Sequence, residues 1–377
     1  MRIEQFEMER MQSLHWHVVK YDLSESGVQP LSVPELFEMA GTDPASFLGT
    51  KLGYPLSEGS HQTRDRIAAW YPGATADHVT VVNGGSEANF LTLWTLLEPG
   101  DRLAFMVPNY MEGWGLGRHF GEATDVFRLT LKGDRWALDL DELERTVSPA
   151  TKVVMVCNPD NPTGHVLTDA EMDAVVAAAD RVGAWIVADE IYRGAELGAD
   201  DASPTFWGRY DKVVVTSGLS KAFGMPGLRV GWIVAPPELI RDVWVRHDYT
   251  TLTPGMLSDV LAGVAMEPTT RERVLARTRQ IIRAQYPPLE AWFRTHADTF
   301  RWVPPVAGAI AFVQYDLPVP SGELIDRIRT ERSVLLVPAS VFGLGEDAKG
   351  IRFGFGFDIE QTLDALELVD QTLAAFG

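Results

Sequence analysis

Seven short β-rich runs alternate with helical patterns between about residues 79 and 235, and that alternation constrains the chain more than any other feature. The runs lie at 79–82, 102–107, 125–129, 152–157, 184–188, 212–215 and 230–235. Several are apolar throughout, as strands covered on both faces are. Helical patterns lie between them, notably at 86–97 and 169–181. The alternation predicts an α/β layer structure: a mainly parallel, seven-stranded sheet sandwiched by helices. Ligands in such sheets bind beyond the carboxyl ends of the strands, so the residues just after each run carry the functional interest.

Pro236-Pro237 closes this region. A helical stretch over about 238–297 follows, with breaks expected at Pro254, Pro268 and Pro287-Pro288. Beyond it, strand patterns at 309–315, 334–337 and 351–355 mix with helical ones at 321–331 and 359–376, which predicts a smaller α+β domain. The first thirty or so residues, with His15, Trp16 and His17, have no clean periodicity and read as an arm. The expected division is 1–48 for the arm and part of the small domain, 49–270 for the large domain, and 271–377 for the small domain.

A net charge of −19 argues against binding a phosphate backbone, which needs clustered lysine and arginine. The single cysteine, Cys157, cannot form an intramolecular disulfide, so an oxidising compartment is not required. Acids occupy the N-terminus where a signal peptide needs apolar residues, and no run approaches the roughly 18 apolar residues of a membrane span. The expectation is a soluble, cytoplasmic protein with no nucleic-acid and no membrane partner.

Five strand ends carry residues suited to chemistry. After 79–82 comes Asn83-Gly84-Gly85-Ser86, where bare glycines and a helix start let backbone N–H groups meet an anion. The same residues also read as a plain helix cap. After 102–107, Tyr110 offers a ring for stacking or for the core. After 152–157, Asn158-Pro159-Asp160-Asn161-Pro162 is a stiff turn that either links elements or holds the Asn161 amide rigidly. Asp189, at the end of an apolar run and three residues before Tyr192, is either a helix cap or the partner of a cation. After 212–215, Lys221 follows Ser217-Gly218-Leu219-Ser220, and Arg229 stands eight residues on. An amine near an apolar core is costly to keep charged and so becomes a usable nucleophile or base. Such a lysine suits a Schiff base with an aldehyde cofactor, and an arginine suits that cofactor's phosphate. A solvated loop lysine is the alternative.

Together, in this order, these segments resemble the fold-type I pyridoxal-phosphate enzymes of the class I/II aminotransferase family, from about residue 23 to the C-terminus. The resemblance implies an aspartate-aminotransferase-like large domain, pyridoxal 5′-phosphate as cofactor, and amino-acid and 2-oxo-acid substrates. It implies that Lys221 forms the internal aldimine and shuttles the substrate proton. Asp189 then pairs with the pyridine nitrogen, Tyr192 and Asn161 bond the phenolic oxygen, and Tyr110 stacks on the ring. Gly85, Ser86 and Arg229 hold the phosphate, and Ser220 is a further phosphate candidate. Arg352 takes the substrate α-carboxylate, for which a guanidinium fork is apt. Tyr54 corresponds to a tyrosine reaching a phosphate across a homodimer interface, and Gly27 to the segment lining the substrate pocket.

One departure stands out: position 218, where relatives carry serine or threonine, is glycine, with Ser217 and Ser220 as possible substitutes. Transamination is the expected reaction; elimination, cyclisation or oxidation on the same scaffold is the alternative. The segments 24–28 and 217–221 are similar to a capreomycidine-synthase-like subgroup acting on arginine-derived amino acids, in which Glu25 or Asp22 would meet a cationic side chain. Trp114 and the 15–17 arm are candidates for an aromatic wall or for packing. A regulatory cofactor-binding domain fused to a DNA-binding module is disfavoured by the acidic charge and by the enzyme-like segment starting near residue 23.

Overall fold

The computed structural model describes residues 3–375. Its central sheet has eight strands, in the order Val79–Val82, Gly231–Val234, Val213–Gly218, Trp185–Asp189, Thr151–Cys157, Arg102–Val107, Ala123–Lys132, Arg135–Leu138. All seven expected strands are present. The eighth, Arg135–Leu138, pairs antiparallel with Ala123–Lys132 at one edge. It escaped notice because it belongs to a hairpin joined through Gly133 at φ 67°, not to a strand-helix unit.

The five strands from Val213–Gly218 to Ala123–Lys132 are mutually parallel. Gly231–Val234 runs antiparallel to both of its neighbours. Parallel neighbours need a crossover, whereas antiparallel ones can be joined by a short loop. The loop between Val213–Gly218 and Gly231–Val234 spans residues 219–230 without an α-helix, and Lys221 lies on it. Val79–Val82, two strand reversals away, shares the direction of the parallel set. Its carboxyl end therefore falls on the same edge as theirs. Apart from Trp185, the apolar residues of the six strands from Val79–Val82 to Arg102–Val107 are buried between the helix layers, whereas Val126 and Leu131 near the edge are only half-buried.

A second sheet of four antiparallel strands has the order Phe300–Trp302, Ile310–Tyr315, Gly350–Gly354, Val337–Pro338. Arg352 sits on its third strand, flanked on both sides. The N-terminal segment adds the helix Glu7–His15 and then a two-residue strand, Tyr21–Asp22, parallel to Val334–Leu335. That pairing delivers residues 24–27 to the mouth of the large sheet. The helix Ile359–Leu373 is shorter than the expected 359–376, and Phe376 lies outside the described residues.

Pro287-Pro288 does not break the chain, contrary to expectation: one helix runs Pro268–Thr295 straight through it. Each proline removes a backbone donor and crowds the preceding turn, at about 3 kcal/mol or more. Ile282 and Tyr286 before the pair, and Leu289 and Phe293 after it, are all buried. Burying side chains of this size is worth about 1.5–3 kcal/mol each, enough to hold the helix through the defect. Pro268 begins this helix, where a missing N–H costs nothing.

Candidate active site

The carboxyl edge of the large sheet opens into a cavity of about 770 Å³, walled on its far side by the N-terminal segment and Arg352. Gly85, Ser86, Tyr110, Asn161, Asp189, Tyr192, Ser220, Lys221, Arg229 and Arg352 all line it. Gly27 presses its backbone against Lys221, close enough that a Cβ there would stand 3.7 Å from the lysine Cδ. Tyr54 alone lies elsewhere, 83% exposed beside residues 251–258.

Lys221 Nζ is 2.7 Å from Glu25 Oε1. Burial pushes the Glu25 carboxyl up, but the Lys221 charge and hydrogen bond, with the N–H groups of Gly27 and Ser26, outweigh it and hold it at about 2. The subgroup resemblance has Glu25 or Asp22 meeting a cationic substrate; in this structure the partner of Glu25 is the lysine itself. Glu25→Gln removes the charge that Lys221 faces, and should lower apo-protein stability at neutral pH by roughly 1–3 kcal/mol. Because the folded carboxyl titrates below its ordinary 4.5, this contribution is complete above that pH and fades as pH falls toward about 2. Denaturant unfolding of both proteins across that range checks the sign: the difference should shrink in acid.

Asp189 ends its strand, half-buried, with Oδ1 accepting from Ile191 N–H at 3.1 Å and Oδ2 from Asn89 Nδ2 at 3.0 Å. Burial raises its carboxyl, and these two bonds oppose the rise. Arg352 is 1% exposed. Its Nη1 donates to Asn161 Oδ1 at 2.9 Å and its Nη2 to the Ser24 carbonyl, while Nε has no partner. With Asn161 Oδ1 occupied by the guanidinium, the amide nitrogen remains free to donate. The Tyr192 hydroxyl donates to Ser26 Oγ at 2.9 Å, and burial pushes its pKa up. Tyr110 donates to Glu9 Oε1 at 2.8 Å and meets Phe6 edge-on.

The anion cradle is tightly built. Gly84 has φ 97°, and a Cβ there would stand 2.3 Å from Arg229 Nη2. Only glycine suits that backbone and leaves room for the guanidinium. The helix Gly85–Leu96 begins immediately after, with its first residues, Gly85 and Ser86, on the cavity wall. Gly218 now has a reason. It pairs with Gly231 across the antiparallel strands, where a Cβ would meet the Val230 carbonyl at 2.6 Å. Ser217 cannot substitute, because its hydroxyl is buried and donates to the Glu190 carbonyl at 3.2 Å. Ser220 remains at the cavity wall. Gly218→Ser is therefore expected to destabilise the protein by about 1–3 kcal/mol, as overpacking does, which a thermal melt will report.

Glu9, Glu112 and Asn89 are among the cavity residues that the sequence does not mark as site residues. Glu112 was detectable in principle, being an acid two residues past Tyr110 at a strand end. Asn89 reads in the sequence as no more than a poor capping-box partner of Ser86, and Glu9 carries no signal at all, since only the tertiary fold brings its helix over the cavity. Trp114 does not line the cavity; Arg118 stacks over its outer face, whereas Trp16 and His17 do reach the cavity wall.

An anion cradle with Arg229, a carboxylate for a protonated ring nitrogen, donors for a phenolic oxygen and an amine fit pyridoxal 5′-phosphate. The cradle that a Cβ would fill and the unpartnered Arg352 Nε are the observations that test this fit. Fold and site together define a pyridoxal-phosphate-dependent enzyme of the aspartate-aminotransferase-like α/β fold. The sequence profile of aminotransferase class I and II matches residues 38–369. The chain belongs to that family, and is an enzyme of the aminotransferase type. It is 30% identical over 347 residues to capreomycidine synthase of Streptomyces vinaceus, covering 89% of this chain and 85% of that one. A solved pyridoxal-phosphate-dependent aminotransferase from Streptococcus suis superimposes with a TM-score of 0.91 at 28% identity, covering 100% of this chain and 99% of that one. A solved pyridoxal-phosphate-dependent cyclase, OrfR, gives 0.88 at 29% identity, with the same coverage of each. Among the described residues no helix is long and apolar enough to cross a membrane, and no cluster of acids, histidines or cysteine is arranged to hold a metal.

Proposed function

We propose that this enzyme moves an amino group between an L-amino acid and a 2-oxo acid, with Lys221 as the residue that holds the cofactor and carries the proton. The observation that supports this reading is that one cavity gathers the Lys221 amine, the Asp189 carboxylate and the incompletely partnered Arg352 guanidinium. Bound pyridoxal phosphate supplies an electron sink that makes the substrate Cα–H acidic. Arg352 grips the substrate carboxylate from the small-sheet side and orients the Cα–H toward Lys221. Lys221 Nζ takes that proton and returns it, and Glu25 beside it balances the charge of the amine. Asp189 holds the ring nitrogen, Asn161 Nδ2 donates to the phenolic oxygen, the Tyr192 hydroxyl joins it on turning from Ser26, and Tyr110 covers the ring. Gly85, Ser86, Arg229 and Ser220 hold the phosphate.

The proposal extends to assembly. The exposed Tyr54, which does not line the cavity of its own chain, is read as reaching the cofactor phosphate of a second copy in a homodimer. The division at 48 and 270 is part of the same reading: all eight strands of the large sheet lie within 79–234, and all four of the smaller sheet within 300–354. A cytoplasmic location accords with the single buried cysteine.

A second reading, cyclisation or elimination, is favoured by the likeness to a capreomycidine synthase and to a cyclase. The discriminating experiment is to incubate the holoenzyme with a panel of amino acids and no 2-oxo acid. Transamination leaves the cofactor in its amine form after one turnover. Elimination releases ammonia over many turnovers, and cyclisation yields a ring-closed amino acid with the cofactor unchanged. A panel in which no amino acid gives the amine form would overturn aminotransfer.

A further inference from the structure

One carboxyl group in the cavity has no task in the reading above. Glu112 opens the helix Glu112–Phe120. Its Oε2 accepts from Asn89 Nδ2 at 3.0 Å, and the same nitrogen donates to Asp189 Oδ2, also at 3.0 Å. A primary amide carries two hydrogens, so each carboxyl group receives one. The amide is held in this sense by Thr216, whose hydroxyl donates to Asn89 Oδ1 at 2.7 Å. A flipped Asn89 would turn its oxygen toward two carboxyl groups. Asn89 and Thr216 are both buried, so the bridge is fixed.

Glu112 and Asp189 are thus no farther apart than the sum of two hydrogen bonds. Two anions that close in a desolvated site cannot ionise independently. Burial pushes Glu112 up to about 8; the charges of Asp189 and Glu9 add to the rise, and the Asn89 and Ser86 bonds oppose it. The groups facing it are Glu9 from the helix Glu7–His15, Asp189 from its strand end, Ser86 and Asn89 from the helix Gly85–Leu96, and Tyr110. The shift favours the protonated form of Glu112, so that the pair carries one negative charge rather than two.

We propose that Glu112 is a positioning residue that acts through Asn89 on Asp189. Uncharged, it leaves Asp189 a weak base, and the proton stays on the cofactor's ring nitrogen. Ionised, it makes Asp189 more basic and draws that proton off the ring. The inference rests on the reading that Asp189 faces the ring nitrogen. Like charges at this separation, with an effective dielectric of about 20, change a proton affinity roughly tenfold or more.

The test is spectroscopic. Holoenzyme is prepared with pyridoxal phosphate carrying ¹⁵N at the ring, and the nitrogen resonance is followed against pH. The resonance should move toward the unprotonated position as pH rises through about 8. Glu112→Gln, which keeps an oxygen acceptor for Asn89 but never ionises, should hold it at the protonated position throughout. A merely structural role for Glu112 would leave the two titrations alike, and that outcome overturns the proposal. Asn89→Ser, which removes the bridge and keeps Glu112, should shrink the step; an undiminished step overturns the proposal equally. Asp189→Asn separates the two readings. If it leaves the ring nitrogen protonated, the placement of Asp189 fails; if it does not, and Glu112→Gln still titrates like the native protein, only the role of Glu112 fails.

Discussion

Lys221→Ala is expected to give a protein that stays colourless after reconstitution with pyridoxal phosphate and gel filtration, with turnover reduced by about 10²–10⁴-fold or more. The loss has two parts. The amine that fixes the cofactor is gone, and so is the group that carries the Cα proton. Borohydride treatment of the native holoenzyme should fix the cofactor on the peptide containing Lys221, and treatment of the variant should fix none. The fold should survive, because the lysine lies on a loop and its side chain is only partly buried. Glu25 loses its cation in the variant, so its carboxyl should titrate well above about 2. A Lys221→Ala protein that keeps its colour and its turnover would sink the assignment.

Arg352→Lys should lower kcat/KM by about 10²–10³-fold for every amino acid the enzyme accepts, while leaving cofactor binding nearly intact. The guanidinium already donates to Asn161 Oδ1 and to the Ser24 carbonyl, and keeps a further N–H unpartnered. A lysine ammonium on an unbranched stem cannot hold both bonds and also present a fork to a carboxylate. Charge-assisted hydrogen bonds contribute about 1.5–3 kcal/mol each, and losing one or two gives the stated range. Steady-state kinetics against several amino acids, with the cofactor band as a control, will read it. A loss confined to one substrate would place Arg352 at a side-chain subsite rather than at the shared carboxylate.

The large sheet was legible because its strands are long enough and apolar enough to have no other use, and helices separate most of them. The hairpin strand Arg135–Leu138 was not, since four residues with one exposed end give little pattern. Proline misled at 287–288 because its local penalty was weighed without the buried face that outweighs it. In the site, the lysine, the aspartate, the Asn161 turn and Arg229 were readable because each follows a strand end at a fixed short distance. Gly218 could not be explained from the sequence, because its reason is a carbonyl from a different strand.

By itself the sequence determined the class of sheet, the edge on which chemistry occurs, and the residue types that meet there, because those follow from periodicity and from the short span between strand end and side chain. The tertiary structure alone decided which groups share a hydrogen bond. It placed Glu25 on Lys221, Ser26 on Tyr192, and one Asn89 amide between Glu112 and Asp189. These partners are separated by 196, 166, 23 and 100 residues in the chain. No local pattern spans such distances, and a carboxyl group's charge depends on what lies within a few ångströms of it rather than on its neighbours in sequence.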